Sequence, residues 1–328
     1  MNGTAIMIPA QGYGKVRTGY FSWLEAEMDG DWRLPQRGKP FCVNRRRARS
    51  SHSKTGSIAS TFSSLAGPVV VEAVRTAKAL STKSEAEGFH QLRVAFRKLR
   101  ALYWAYAPYL GEGVTAQATE EFRRLATVAG GTRDWDIAGD LLKTAREDGA
   151  SIDLLMSAAN EKRAQAAAFS QAMIKANEVE ALLNEALLRA QAKLQLDSKD
   201  QSVHAFARKR IRLARRTLHK RSRRVARSNI VDEEALHDVR KAGKKLRYLL
   251  EFFQPVIKRQ RGRTIRKLTS VQNELGRFND IAASEALIRS TSFDDVPPEV
   301  VQESLRWLEK QKCRRMRSAS RRVRAIVR

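Results

Sequence analysis

Two segments of this chain resemble each other when they are compared at a fixed offset. HQLRVAFRKLRALYWAYAP occupies residues 90–108 and HDVRKAGKKLRYLLEFFQP occupies residues 237–255, an offset of 147, and both segments end in proline. The alignment matches His90 with His237, Arg93 with Arg240, and Arg100 with Arg247. Similarity at a fixed offset is typical of duplicated structural units. The sequence therefore predicts two halves that contain the same helical element.

A second pair of segments follows the first. FRRLATVAGGTRDWD aligns with LTSVQNELGRFNDIA at an offset of 146, which places Gly130 on Gly276 and Asp134 on Asp280. Glycine often ends a helix, and a carboxylate after it can cap the next helix or orient a nearby arginine. Each half is predicted to run in the order helix, proline, helix, glycine turn, acidic residue. We expect Asp134, Asp136 and Asp280 to act as helix caps, because capping is the commoner role.

The body of the chain has the composition of an all-helical protein. Ala, Leu, Arg, Lys, Glu and Gln dominate from about Val69 onward, and no proline occurs from Tyr109 to Gln254. Alternating runs of β-branched and aromatic residues, which are typical of strands, are missing. Because these residues favour helices and proline is the strongest helix breaker, the predicted fold class is all-α.

The first part of the chain differs from the rest. Residues 1–56 contain several glycines and aromatic residues and the run RRRAR, without helical periodicity. We predict an irregular basic extension here, whose arginines either contact an anion or form a solvated tail. The remaining residues, 57–328, are predicted to form one helical domain, with a first repeat at about 57–200 and a second at about 201–328.

The charge of the chain indicates what kind of partner it has. Lys and Arg number 62 against 35 Asp and Glu, which gives a net charge of +27 at pH 7 and a pI near 10.7. An excess of this size favours a polyanion: nucleic acid, polyphosphate or an anionic membrane surface. It indicates the sign of the partner's charge and not its identity.

Several classes of site and location find no support in the sequence. Cys42 and Cys313 are far apart and have no CxxC or Cys/His cluster, so neither a disulfide framework nor a metal site is predicted. The sequence has no P-loop, nucleophile elbow or HExxH motif, so we predict no catalytic residues and no cofactor. No signal-like start or run of about 18 apolar residues occurs, so we expect a cytoplasmic protein without a membrane partner.

Each copy of the repeated segment carries basic residues on one helix face. On a helix that turns 100° per residue, four positions in each copy fall within roughly 80° of arc. They are His90, Arg93, Arg97 and Arg100 in the first copy and His237, Arg240, Lys244 and Arg247 in the second. We expect no acidic partners four residues away, so that the stacked cations repel one another. Phosphates would balance such a face through forked arginine hydrogen bonds, and a solvated face is the alternative.

A third basic segment, HAFARKRIRLARRTLHKRSRR, begins at His204. Its spacing places Arg208, Arg212, Arg215 and His219 on one helix face, which could converge with the other two. A charged ridge of this kind is also common in RNA-binding proteins. It therefore does not discriminate among polyanions.

The two matched histidines have no metal-binding pattern around them. Neither His90 nor His237 has an HxxxH, an HxxE or a nearby Cys partner along its helix. A histidine at the start of a basic face can donate a hydrogen bond to a phosphate oxygen, more strongly when protonated. We therefore predict phosphate contact rather than metal ligation or a role in the core.

These motifs resemble the CHAD family, whose name stands for conserved histidine α-helical domain, over about residues 57–328. HQLRVAFRKLR is similar to the family's first-repeat signature, LHDVRKAGKKLRY to its second, and GGTRD and LGRFND to its paired turn motifs. The resemblance implies two helical bundles related by an internal pseudo-twofold repeat, with a basic central channel or groove. It also implies binding of long-chain inorganic polyphosphate and targeting to polyphosphate granules.

The resemblance implies particular polyphosphate contacts. At matched positions they are His90, Arg93, Arg97, Lys98, Arg100, His237, Arg240, Lys244, Lys245 and Arg247. The third basic segment adds Arg208, Arg212 and Arg215 as candidates.

Three functions compete at this point. The first is non-enzymatic polyphosphate binding. The second is RNA or DNA binding, which the same charge favours; single-strand binders usually offer aromatic platforms, whereas Tyr103, Trp104 and Tyr106 have the spacing of core residues. The third is an enzyme acting on phosphate chains, which is disfavoured because neither repeat carries a paired-carboxylate metal site.

Overall fold

The structure, a computed structural model, describes residues 57–82, 85–196, 202–228, 232–257 and 262–327. In these ranges the chain forms ten helices and no strand, so the predicted all-α class is confirmed. The predicted extension at residues 1–56 lies outside the described residues. The first five helices are α1 (Ile58–Thr82), α2 (Ala86–Val128), α3 (Gly130–Glu147), α4 (Asp153–Ala176) and α5 (Val179–Leu196). The others are α6 (Val203–Arg227), α7 (Glu233–Phe252), α8 (Gln254–Ile257), α9 (Gly262–Ser290) and α10 (Pro298–Val327).

Helices from both parts of the chain pack together. In the first part α1 packs against α2 and α5, and α3 packs against α4. In the second part α6 packs against α7 and α10, and α9 packs against α10. Contacts between α2 and α7 and between α3 and α9 join the two parts. The pseudo-twofold relation between the repeats, and their boundaries, stay predictions. None of the described helices is long and apolar enough to cross a membrane.

The predicted positions of the helix breaks are partly wrong. The first proline, Pro108, lies inside α2, and the kink in this helix is at Gly111, whose φ of +77° is one that glycine adopts readily. The second, Pro255, lies in the short α8. Gly276 lies inside α9, so the predicted glycine turn in the second half is absent. A glycine inside a helix costs about 1 kcal/mol, which the strong helix formers and the packing around it outweigh. In the first half the chain does break at this position, between α2 and α3.

The larger hydrophobic core contains a cluster of aromatic rings. It consists of Phe62, Tyr103, Tyr106, Phe206 and Phe253, whose edge-to-face pairs have ring centroids 4.8 to 5.8 Å apart. Edge-to-face pairs add about 0.5 to 1.5 kcal/mol each to the burial of the rings. The rings come from α1, α2, α6 and the end of α7. The cluster therefore ties the first part of the chain to the second.

A second, smaller core lies among α3, α4, α9 and α10. It includes Trp135, Leu142, Leu155, Ile288 and Leu308, all of which are buried. Both cores thus draw side chains from before and after residue 200. Each part of the chain buries its apolar helix faces against the other. The two helices that carry the matched histidines, α2 and α7, therefore share one hydrophobic core.

Tyr103 and Tyr106 provide a matched test of the packing between α2 and α5. The Tyr103 hydroxyl donates to the Ala186 carbonyl oxygen at 2.8 Å, whereas the buried Tyr106 hydroxyl has no hydrogen-bond partner among the described residues. We expect Tyr103→Phe to lower the free energy of unfolding by about 1 kcal/mol, because it removes one buried hydrogen bond. Tyr106→Phe should leave that free energy unchanged or raise it. Urea denaturation measures both, and equal losses in the two variants would contradict the assignment.

Candidate anion-binding site

The first half of the site is a buried ion pair between α2 and α3. Arg93 Nη1 donates to Asp134 Oδ1 at 2.9 Å and to the Gly130 carbonyl oxygen at 3.4 Å. Both charged side chains are only 11% exposed. A Cβ atom on Gly130 would lie 3.1 Å from Arg93 Nη1, so glycine leaves room for the guanidinium here. The glycine and the aspartate that the sequence repeats together hold the repeated arginine.

The second half of the site joins α7 to α9. His237 Nδ1 lies 3.0 Å from Asn279 Oδ1, a hydrogen-bonding distance. Burial raises the pKa of the neighbouring Asp280, and the positive charges of Arg240 and Lys244 act against this rise. Arg240 is itself buried. The Asp280 carboxylate of α9 therefore faces the basic residues of α7, much as Asp134 faces Arg93.

Arg133 links the two halves of the site. It lies in α3, next to Asp134, and its positive charge acts to lower the pKa of both His90 and Asp280. Burial is the largest cause of the lowered pKa of His90, and Arg133 is the next. The negative charge of Asp134 also acts on Asp280, so the two matched carboxylates are neighbours. The packing of α3 against α9 thus brings both halves to one place.

We call this group the central cluster. Its members are His90, Arg93, Arg97, Arg133, Asp134, His237, Arg240, Lys244, Asn279 and Asp280. Five of these side chains are cationic and two are carboxylates, which leaves three positive charges in excess with both histidines neutral. Arg97, Arg133 and Lys244 are half-buried and reach solvent. Cations in this arrangement can bind the oxygens of a phosphate through charge-assisted hydrogen bonds.

Three further predicted contacts are Arg100 of the first basic face and two lysines implied by the family resemblance, Lys98 and Lys245. Lys245 lies over the ring of Trp104, 4.5 Å from its centroid. Arg100 is 5% exposed and lies in the interior, whereas Lys98 is half-buried. The three side chains therefore have different environments: one is buried, one is half-buried and one covers an aromatic ring.

The expectation that acidic partners are missing is wrong for the second copy. Arg247 Nε lies 3.6 Å from Glu251 Oε1, at the i,i+4 spacing that places two side chains one helical turn apart on the same face. The Arg247 guanidinium also lies 5.2 Å from the centroid of the Tyr248 ring. In the first copy Arg93 has an acidic partner too, from another helix. The balance of charge on these faces thus comes partly from the protein itself.

The third predicted basic face is exposed. Arg208, Arg212 and Arg215 lie along α6 with their side chains in solvent. The sequence did not single out Arg210, which is buried: it donates to the Trp104 carbonyl oxygen and lies 4.1 Å from the centroid of that ring. Burial lowers the pKa of Arg210 to about 10. Arg210 therefore connects α6 to α2 as part of the interior.

The expected capping roles of the aspartates are wrong. Asp134 and Asp136 lie inside α3 and Asp280 lies inside α9, where helix hydrogen bonds already occupy the backbone amides. Asp136 Oδ1 accepts a hydrogen bond from Arg163 Nε at 2.6 Å, so two of the three carboxylates orient arginines. Among the described residues there is no group of three or more His, Cys, Asp or Glu side chains that can hold a metal ion.

The comparison with protein families agrees with the motifs of the sequence. The CHAD domain family model matches residues 70–289, more than half of the chain and a range that contains the whole central cluster. Among curated proteins no significant match was found.

Two solved structures have a similar fold. A crystal structure of the CHAD domain from the plant Ricinus communis is similar with a TM-score of 0.70 and 22% sequence identity, over 86% of this chain and 97% of that one. A structure of PptA from Streptomyces chartreusis is similar with a TM-score of 0.57 and 13% identity, over 83% of this chain and 99% of that one. At these identities the similarity shows the fold alone.

Proposed function

The chain belongs to the CHAD domain family, and from this premise we propose that it binds long-chain inorganic polyphosphate at the central cluster. CHAD domains are linked to polyphosphate binding in general. The observation that carries the proposal is the packing of α3 against α9, which places Arg133 where its charge acts on both His90 of the first half and Asp280 of the second. One phosphate chain that crosses this point would contact cations of α2, α3 and α7 together.

The burial of the nearby aromatic residues supports polyphosphate over single-stranded nucleic acid. Tyr103, Trp104 and Tyr106, which follow the first basic face, are at most 6% exposed. They are packed in the core or covered by cations and offer no surface on which a base can stack. The solvent-accessible donors of Arg97, Arg133 and Lys244 can bind phosphate oxygens. A phosphate chain without bases would supply the oxygens that these cations recognise.

The proposal is for binding without chemistry. The two carboxylates at the centre, Asp134 and Asp280, lie among arginines and a lysine, which suits the orientation of cations better than the support of a metal-bound nucleophile. We also propose that binding places the protein on polyphosphate granules in the cytoplasm. The bound protein would act there as a non-enzymatic partner of the polymer.

A competition titration tests the proposed function. Labelled long-chain polyphosphate is bound to the full chain near physiological salt and then displaced by unlabelled polyphosphate or single-stranded RNA at equal phosphate concentration. We expect polyphosphate to displace the label at about tenfold lower concentration than RNA, because binding to the bases contributes nothing at this site. Affinity should fall steeply as salt rises, since bound counterions are released.

Two results would reject the proposal. The first is an affinity for RNA equal to or above that for polyphosphate, which would make the protein a nucleic-acid binder. The second is release of phosphate above background with Mg²⁺ or Mn²⁺ in the same samples, with loss of that turnover in Asp134→Asn. That outcome would make it an enzyme.

A further inference from the structure

A second strongly basic surface lies along the last half of α6, away from the central cluster. It is a groove of about 1120 Å³ between α6 and the start of α7. We call it the α6 groove. Its charged lining residues are Arg215, Arg216, His219, Lys220, Arg221, Arg223, Arg224, Arg227 and Asp238. Arg215, the last of the three candidates on the predicted third face, is therefore part of this groove.

The positive charge of the groove is largely unbalanced. Asp238 is the one acidic residue among those that line it, and it already has Lys241 at 3.1 Å and Arg221 at 3.8 Å. The other cations have no acidic side chain within ion-pair distance in the part of the chain that the structure describes.

Four of these cations form one face of α6. Arg216, Lys220, Arg223 and Arg227 follow one another at spacings of 4, 3 and 4 residues, and all four are exposed. Like charges at this spacing repel each other by a few tenths of a kcal/mol per pair, which a bound anion would remove. A chain of phosphates has the linear distribution of charge that matches such a row.

The α6 groove and the central cluster adjoin different faces of the first turns of α7. His237 contacts Asn279 of α9 in the central cluster, whereas the next residue, Asp238, contacts Arg221 of α6 in the groove. Successive residues of a helix point about 100° apart, so the two basic surfaces meet the same turn of α7 from different directions. A single flexible polymer could reach both.

We propose that the α6 groove binds a second segment of the same polyphosphate chain that occupies the central cluster, so that the protein selects long chains over short ones. The inference rests on the proposed function. Once one segment is bound at the cluster, the second binding event is intramolecular, and its effective concentration raises the affinity for long chains without any new contact at the cluster. Tripolyphosphate, which is too short to occupy both surfaces at once, gains no such increase in affinity.

The lining of the groove favours a phosphate chain over single-stranded RNA. None of the described residues that line it is Phe, Tyr or Trp, so the imidazole of His219 is the one ring among them on which a base could stack. Arginine and lysine recognise phosphate oxygens without regard to what the phosphates carry. The groove therefore suits a polymer that consists of phosphate alone.

The test uses two variants of the full chain with the same change in charge. The groove variant carries Arg216→Gln, Lys220→Gln, Arg223→Gln and Arg227→Gln. The control variant carries Arg306→Gln, Lys310→Gln, Arg314→Gln and Arg317→Gln, four exposed cations on one face of α10 that do not line the α6 groove. Because all eight side chains are exposed, both variants should keep the thermal stability of the natural sequence, which a melting curve checks.

Binding of long-chain polyphosphate and of tripolyphosphate is then measured for the natural sequence and both variants. We expect the groove variant to lose about 100-fold in affinity for long chains and to bind tripolyphosphate as before. The control variant should change either affinity by no more than about threefold, as expected of a screened surface charge.

Each other result contradicts a specific part of the inference. Equal losses in the groove and control variants would mean that net charge, and not the groove, attracts the polymer. A loss of tripolyphosphate affinity in the groove variant would mean that short chains also depend on the groove, so that the groove does not select for chain length. A larger loss for single-stranded RNA than for long-chain polyphosphate would identify RNA as the occupant. Failure of the natural sequence to bind either polyphosphate would instead reject the proposed function itself.

Discussion

Replacing Arg97, Arg133 and Lys244 together by glutamine is expected to lower the affinity for long-chain polyphosphate by at least about 100-fold. Each charge-assisted hydrogen bond to a phosphate contributes about 1.5 to 3 kcal/mol, and about 1.4 kcal/mol corresponds to a factor of ten. These three cations are half-buried and belong to α2, α3 and α7. Unlike the α6 groove variant, this variant should lose tripolyphosphate binding as well, because it changes the site that short chains use.

These three residues are chosen because their replacement should change the affinity without changing the stability of the fold. Arg93 and Arg240 are buried, and Arg93 holds the ion pair with Asp134, so their loss would disturb the structure together with the site. A control with Arg306→Gln, Lys310→Gln and Arg314→Gln removes the same charge from an exposed face of α10. Titration at several salt concentrations should show a shallower salt dependence for the cluster variant alone. Equal affinities in the two triple variants would place the polymer elsewhere.

Asp134→Ala is expected to lower the free energy of unfolding by about 3 kcal/mol. The substitution leaves the Arg93 guanidinium buried without the carboxylate 2.9 Å away, and an uncompensated buried charge costs about 3 to 5 kcal/mol. The carbonyl oxygen of Gly130 still accepts from Arg93, which places the expected loss at the lower end of that range. Urea denaturation followed by circular dichroism measures the difference.

Two further variants test whether the loss of stability comes from the burial of this ion pair. Asp153→Ala removes an aspartate whose partner, Arg146, is 3.4 Å away, but both side chains are more than half exposed, so the loss should stay below about 1 kcal/mol. The double variant Arg93→Met with Asp134→Leu removes both buried charges and should recover most of the stability that Asp134→Ala loses. An Asp134→Ala loss no larger than that of Asp153→Ala would contradict the buried ion pair.

The first turns of the repeated basic helices were predictable as parts of a common site. His90, Arg93 and Arg97, like His237, Arg240 and Lys244, follow helical spacing, and helical spacing depends on local geometry alone. The structure places the described members of both sets around the packing of α3 against α9. Whether polyphosphate binds there stays a prediction.

The later residues of the same faces were not predictable in this way. The surface against which a helix packs changes along its length, so Arg100 of the first face is buried in the interior. Lys245, which the family resemblance suggested as a contact, covers Trp104. The pairing of Arg247 with Glu251 was visible in the spacing of the sequence and was missed. The sequence contains only a weak indication of the role of Arg133, which is that it directly precedes the matched Asp134.

The sequence by itself determined that the chain is helical, that it carries matched histidines at the start of two basic helices, and that it has a large excess of positive charge. These properties follow from residue propensities, from periodicity along one helix and from the sum of charges, none of which requires contacts between distant residues. Tertiary structure alone decided which of the polar side chains meet. The pairs Arg93 with Asp134 and His237 with Asn279 join residues about 40 positions apart, and only the burial of apolar helix faces brings such residues within hydrogen-bonding distance.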